Sequence, residues 1–256
     1  MSSIFDSQEF NRNLFFPRPD NSQTPAGKDE IFIKVESDIR VHVRRHPNPA
    51  AKFSLLYFHG NGEIVSDYDD LERYISILEA ELIICDYRGY GKSEGAPTLR
   101  KVLHDARFIY CYLKENGKLL TKVCVMGRSL GSASAIEICS RYKEIDCCVI
   151  ESGYADPVPL VERRGLKINS TTHEEDMLFN NSKKIQNISC PLLIMHGNND
   201  TLINPNEAEL NHQNAGSKTK ILQLLDGVGH NDILLSHDYF PSLKRFFNET
   251  TSITGR

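Results

Sequence analysis

An α/β architecture, an eight-stranded and mostly parallel sheet with helices on both faces, is what three features of this sequence predict. Short, nearly continuous apolar runs recur along the chain, as expected for strands buried on both faces. Helical patterns fall between them, so strand and helix alternate. Only the first two strand segments alternate apolar and polar residues, which marks an antiparallel hairpin at one side of the sheet.

The chain opens polar and proline-dotted, with Leu14-Phe15-Phe16-Pro17-Arg18-Pro19 expected as an aromatic anchor across the sheet edge. Ile31–Val35 and Ile39–Val43, joined by Glu36-Ser37-Asp38, are the hairpin strands, each apolar on one side only. The buried runs are Phe53–Phe58, Leu82–Cys85, Val123–Met126, Cys147–Ile150, Leu192–Met195 and Ile221–Leu225. Helical patterns span Tyr68–Ala80, Leu99–Leu113, Leu130–Tyr142, Pro205–Ala215 and Tyr239–Phe247. Glu63, Asp67, Asp69 and Asp70 are expected to form a solvated helix start, the alternative being a charged border of the site that favours a cationic or neutral leaving group.

Composition excludes several classes. A chain of 256 residues is long enough to bury a sizeable core, and is read as a single domain over 1–256. The net charge of -4 offers no basic face to nucleic acid. No apolar run reaches the roughly 18 residues of a membrane span, and Met1–Asp6 lacks the basic and apolar parts of a signal peptide. The seven cysteines sit mostly inside apolar runs (Cys85, Cys124, Cys139, Cys147, Cys148) and read as small buried hydrophobes rather than disulfides or metal ligands. A cytoplasmic chain without cofactor or metal is expected.

The chemistry gathers around Gly127-Arg128-Ser129-Leu130-Gly131, where a β-branched run stops and a small-residue helix begins. Gly-x-Ser-x-Gly on a strand-to-helix turn exposes the serine oxygen above the carboxyl edge of a parallel sheet. Side chains at Gly127 and Gly131 would collide with neighbouring backbone. The first helical turn aims unpaired N–H groups at any oxyanion forming there.

In a parallel sheet, site groups collect just beyond the strand carboxyl ends. After the third strand, His59-Gly60-Asn61-Gly62-Glu63 can turn N–H groups toward Ser129, so Asn61 and Leu130 are the expected oxyanion donors, with Gly62 a second candidate. His59 reads as a structural histidine. The loop Asp86–Gly95 reads as scaffold, with Asp86 and Arg88 expected to bind backbone and Ser93 outside any strained turn. A serine hydroxyl needs a base oriented by a carboxylate. His230, after a glycine-rich turn, is the expected base and Asp200 its carboxylate, giving the chain order Ser, Asp, His. Asp226 and Asp232 lie too close to His230 in sequence to reach its far side easily. Glu151 is the alternative acid, while His212 and His237 fall on helical stretches and read as surface residues.

With those residues in view, the sequence resembles the α/β-hydrolase superfamily across Phe15–Phe247. Phe16-Pro17-Arg18-Pro19, His59-Gly60-Asn61-Gly62, Asp86–Ser93 and Gly127–Gly131 resemble its Bem46-like branch, which includes acyl-protein thioesterase-like hydrolases. The resemblance implies nucleophile Ser129, acid Asp200, base His230 and oxyanion donors at Asn61 and Leu130. Relatives acting at membranes often carry an N-terminal transmembrane or cysteine-rich acylated segment, which this sequence lacks, so a small-molecule or acylated substrate is expected without a membrane anchor.

Residues 152–189 are expected to form a short cap between the sixth and seventh strands, either shaping an acyl slot or merely connecting. It holds apolar residues for one or two short helices, and Thr172 with Glu175 has the spacing of a capping box. The expectation is a serine hydrolase of the carboxylesterase or acyl-thioesterase type. An oligopeptidase-type serine peptidase and a catalytically silent binding protein stand as alternatives.

Overall fold

In the computed structural model, which describes residues 3–251, the strands are β1 (Asp29–Glu36), β2 (Ile39–His46), β3 (Phe53–Phe58), β4 (Ala80–Cys85), β5 (Val123–Arg128), β6 (Cys147–Glu151), β7 (Leu192–Gly197) and β8 (Lys220–Leu225). They form one sheet in the order β1-β2-β4-β3-β5-β6-β7-β8. β2 runs antiparallel to β1 and β4, and the pairs from β4 through β8 are parallel. The α/β-hydrolase architecture expected from the sequence is therefore present. Met1 and Ser2, part of the stretch read as lacking a leader, lie outside the described residues.

The helices are α1 (Gln8–Leu14), α2 (Glu72–Ile77), α3 (Leu99–Glu115), α4 (Ser132–Arg141), α5 (Pro157–Glu162), α6 (His173–Phe179), α7 (Asn181–Lys184), α8 (Pro205–Asn214) and α9 (Tyr239–Thr251). The central strands are buried on both faces because helices cover each one. Leu56, Phe58, Val123 and Val125 pack with Val102, Ile109 and Ile136 of α3 and α4. Alternate residues Leu55, Tyr57, Cys124 and Met126 pack with Ile75 of α2 and Leu243, Phe246 and Phe247 of α9. Burying each such apolar side chain stabilises the fold by roughly 1.5–3 kcal/mol.

Several expectations need correction. The helix expected over Tyr68–Ala80 is only α2, preceded by a 3-10 turn at Val65–Tyr68. Glu79 takes φ +61° and ends the helix, so that Ala80 can pair with Phe53 as the first residue of β4. β8 is half-exposed rather than buried, because it is the sheet edge with β7 on one side only. His237 is exposed in the turn before α9 rather than helical. The polar side of β2 is buried, as Arg44 pairs with Glu30 at 2.6 Å and Asp69 at 2.7 Å. Asp67 pairs with Arg18 at the surface and Asp70 is exposed, so the acidic run after β3 is solvated in part, while Asp69 and Glu63 serve partly buried ion pairs.

The N-terminal segment also lies elsewhere than expected. Ser7 caps α1 through the Phe10 N–H, and the following anchor crosses the carboxyl end of the sheet rather than its edge. Phe16 N–H reaches Asn61 Oδ1 at 2.9 Å, and Pro19 bridges to Gly91. Side-chain and backbone groups of the loops after β3 and β4 hold the anchor there. Residues 152–189 form three short helices, α5 to α7, one more than the apolar content suggested, and Thr172 and Glu175 make the expected capping box.

Candidate active site

β5 delivers the chain into a sharp turn at Ser129, whose φ of +52° is a strained value for a residue with a side chain. The glycines permit it. A Cβ at Gly127 would lie 2.3 Å from the Gly131 carbonyl oxygen, and one at Gly131 would lie 2.0 Å from that of Phe58. β3 is paired with β5 at Phe58–Gly127, so the loop after β3 ends beside the turn.

Three sequence-predicted residues meet here. Ser129 Oγ–H donates to His230 Nε2 at 2.9 Å, and His230 Nδ1–H donates to Asp200 Oδ2 at 2.7 Å. Asp200 follows β7 and His230 follows β8, adjacent strands whose carboxyl ends align at Gly197–Leu225. The other Asp200 oxygen accepts the Leu202 and Ile203 N–H groups at 2.9 and 2.8 Å. Burial alone would push the Asp200 carboxyl up. Hydrogen bonds from His196, His230 and Ile203 outweigh it and hold the group well below the usual carboxylate range.

Glu151 does not take that place. It is fully buried, 3.0 Å from Arg128 Nε, and accepts a hydrogen bond from Tyr239 Oη. Burial pushes its carboxyl up, against the opposing charge of Arg128. Asp232 braces the histidine turn by accepting the Gly229 N–H at 2.7 Å, and Asp226 accepts from the Asn198 amide.

Asn61 and Leu130 line a cavity of about 50 Å³ above Ser129, together with Leu14, Tyr154, Leu160 and Ile203. Among the described residues no protein acceptor takes the Asn61 N–H. The Asn61 side chain instead anchors the N-terminal segment. Its Oδ1 accepts from Phe16 N–H and Tyr90 Oη, and Nδ2 donates to the Leu14 carbonyl at 2.6 Å. Gly62, the second candidate donor, does not line this cavity, and its carbonyl is held by Arg18 Nε at 2.6 Å. A larger groove of about 640 Å³, lined by Ser3, Arg100, Thr172 and Glu175, lies apart from Ser129 between the N-terminal turn and the cap.

The scaffold loop behaves as expected in part. Asp86 Oδ1 accepts the Val65 N–H and Oδ2 receives His42 Nδ1 at 2.8 Å, while His59 Nδ1 bonds the Gly60 carbonyl. Ser93 Oγ accepts the His42 N–H. Arg88 instead forks onto the Asp105 carboxylate and reaches Glu36, because α3 brings a buried acid opposite it.

Two site residues were not evident from the sequence. His196, at the end of β7, brings Nε2 within 3.1 Å of Asp200 Oδ2 and 2.8 Å of the Ile203 carbonyl. Arg128, inside the glycine-serine motif, is nearly buried and reaches the Glu63 carboxylate, Glu151 and the His230 carbonyl. Its signal was legible: a cation ending a strand buried on both faces demands buried acids.

A family model described as serine aminopeptidase, S33, matches residues 49–175, a span that holds the Asn61 loop and Ser129 and ends before Asp200. The human alpha/beta hydrolase domain-containing protein 17B is 29% identical over 207 residues, 79% of this chain and 68% of its own length. Protein bem46 of Schizosaccharomyces pombe is 29% identical over 209 residues, covering 79% and 69%. In structure, an esterase of Pyrococcus furiosus superposes with a TM-score of 0.76 at 21% identity, covering 93% of this chain and 99% of that one. Acetyl xylan esterase 1 of Thermoanaerobacterium does so at 0.70 and 16%, covering 98% and 94%. At such identities the structural likeness speaks to the fold alone. Among the described residues no helix is long and apolar enough to cross a membrane.

Proposed function

Since the chain is an α/β hydrolase of Bem46-like sequence, we propose that it cleaves a carboxylic ester or thioester through an acyl-enzyme on Ser129. The observation that carries this reading is the unbroken hydrogen-bond chain from Ser129 through His230 to Asp200, with the serine held in a strained strand-to-helix turn.

Ser129 Oγ attacks the substrate carbonyl while its proton passes to His230 Nε2. The tetrahedral oxyanion takes the N–H groups of Asn61 and Leu130, and loss of one such donor costs about 10²–10³ in kcat in a comparable site. As the tetrahedral intermediate collapses, the carbonyl re-forms and the leaving oxygen or sulfur departs with the proton from His230. A water then gives its proton to His230 and its hydroxyl to the acyl carbon, and the carboxylic acid leaves as Ser129 regains the proton. Asp200, ionised and fixed by two backbone N–H groups, keeps the imidazole in the required tautomer and stabilises its charged form.

Brief exposure to a fluorophosphonate, followed by intact-mass analysis, tests the reading. One adduct on the wild type and none on Ser129→Ala is expected. Absence of an adduct on folded wild type would favour a silent binding protein. A second reading, amide cleavage, draws on the aminopeptidase description of the matching family model. Turnover of an aminoacyl 4-nitroanilide above that of a 4-nitrophenyl ester would favour it. The small cavity above Ser129 suits a short acyl group in either reading.

A further inference from the structure

We propose that Arg164 forms an anion subsite at the mouth of this cavity, so that the preferred ester carries a carboxylate on a short acyl group. The inference rests on Ser129 being the nucleophile.

Arg164 follows α5 in the cap and lines the same cavity as Ser129, Leu14 and Leu160. Its guanidinium is held without being neutralised: Nη1 donates to the Asn13 carbonyl, and the group lies 4.7 Å over the Phe16 ring. Among the described residues no carboxylate comes within 4.0 Å of it. The other arginines around the site, Arg18 and Arg128, each pair with an acid. The neighbouring Arg163 also donates to a backbone carbonyl, that of Leu202 in the cavity lining, at 2.9 Å, with no acid beside it among the described residues.

A guanidinium has five N–H donors in a planar fork that suits a carboxylate, and one hydrogen bond to a carbonyl leaves most of them free. An aromatic face beneath and a carbonyl beside it fix the fork while preserving its charge. Partial burial lowers the Arg164 pKa; the Tyr90 hydroxyl, not a carboxylate, acts against it. An anion entering the site would supply the missing partner. With the reacting carbonyl at Ser129, the acyl part occupies the roughly 50 Å³ cavity, which fits a short aliphatic spacer between the ester and the carboxylate. A merely structural Arg164, stapling the cap to α1, would serve all substrates equally.

Monomethyl succinate and methyl succinamate, nearly equal in shape and differing in charge, separate these roles. The wild type is expected to favour the succinate by about tenfold or more in kcat/KM, the worth of one charge-assisted hydrogen bond. Arg164→Gln should collapse that ratio toward one, and Arg164→Lys should restore part of it. Equal rates on the two esters by a wild type that forms the fluorophosphonate adduct would overturn the subsite alone. So would an Arg164→Gln variant that loses both substrates in proportion. A wild type without adduct or turnover would overturn the Ser129 reading and this inference with it.

Discussion

Arg128 Nη2 donates to the His230 carbonyl at 2.9 Å, so the residue beside the candidate nucleophile also holds the loop that presents the histidine. The same guanidinium reaches Glu63 of the Asn61 loop at 2.5 Å and Glu151 of β6 at 3.0 Å. Glu63 in turn accepts the Gly60 N–H at 2.6 Å and the Tyr68 hydroxyl. One buried cation thereby fixes the serine turn, the Asn61 loop and the histidine loop relative to one another.

Arg128→Gln should therefore act as a positioning variant. Leaving Glu151 buried without its cation is expected to cost about 3–5 kcal/mol, seen as a lower midpoint in urea. Displacement of the histidine loop should lower kcat about 10-fold or more with KM little changed, and slow fluorophosphonate labelling in parallel. Partial rescue by Arg128→Lys fits, since lysine keeps the charge but not the fork. Unchanged labelling in a folded Arg128→Gln protein would exclude the role.

Asp200→Asn keeps an oxygen for the Leu202 and Ile203 N–H groups but turns an amide donor toward His230 Nδ1. The imidazole must then adopt the other tautomer, with its proton facing Ser129. If the three residues act as proposed, a fall in kcat on the order of 10⁴ is expected, with thermal stability reduced far less. His196→Gln, which changes the contacts of Nε2 to Asp200 and the Ile203 carbonyl but leaves the Asp200–His230 hydrogen bond in place, should cost much less in kcat. Steady-state kinetics on one ester series checks the ranking.

Two glycines separate steric from conformational need. Gly131→Ala would drive a Cβ to 2.0 Å from the Phe58 carbonyl oxygen, and backbone cannot yield there, so little folded protein is expected. Gly62→Ala meets nothing within 4 Å and suffers only its φ of +75°, about 1–2 kcal/mol. Urea denaturation of the two variants compares them directly, and equal losses at both positions would contradict the distinction.

His46 makes stability depend on pH. Burial, with Lys28 and Arg44 nearby, outweighs the attraction of Glu72 and pulls its pKa from 6.5 down to about 4. Asp69 Oδ1, at 3.6 Å, is the other acid facing the ring. Because the unfolded chain takes the proton first, the stability is fully present above pH ~6.5 and is lost as pH falls toward ~4, on the order of 3 kcal/mol in all. His46→Phe should flatten that part of the profile of melting temperature against pH. An equally steep loss in the variant would assign the effect to other groups.

Much of this was legible in one dimension. Buried strands announce themselves as apolar runs, since a strand covered on both faces admits few polar residues. Ser129, Asp200 and His230 could be singled out because site groups in a parallel sheet collect just past the strand ends, and the structure brings the three within hydrogen-bond reach. What escaped were the relations between distant segments. The Leu14–Pro19 anchor looked like an edge cover, and only the Phe16–Asn61 and Pro19–Gly91 contacts put it over the strand ends. Asp67 and Asp70 are exposed as the sequence suggests, but Asp69 and Glu63 meet the buried Arg44 and Arg128.

The linear chain thus carries the sheet, the serine turn and the order of the three site residues. Apolar periodicity and glycine-permitted backbone are local properties, expressed wherever the segment lies. Which acid faces His230, which cations are neutralised and that Arg164 is left open beside Ser129 emerge only once the chain has packed. Hydrogen bonds and ion pairs act over a few ångströms, and packing sets which side chains come that close.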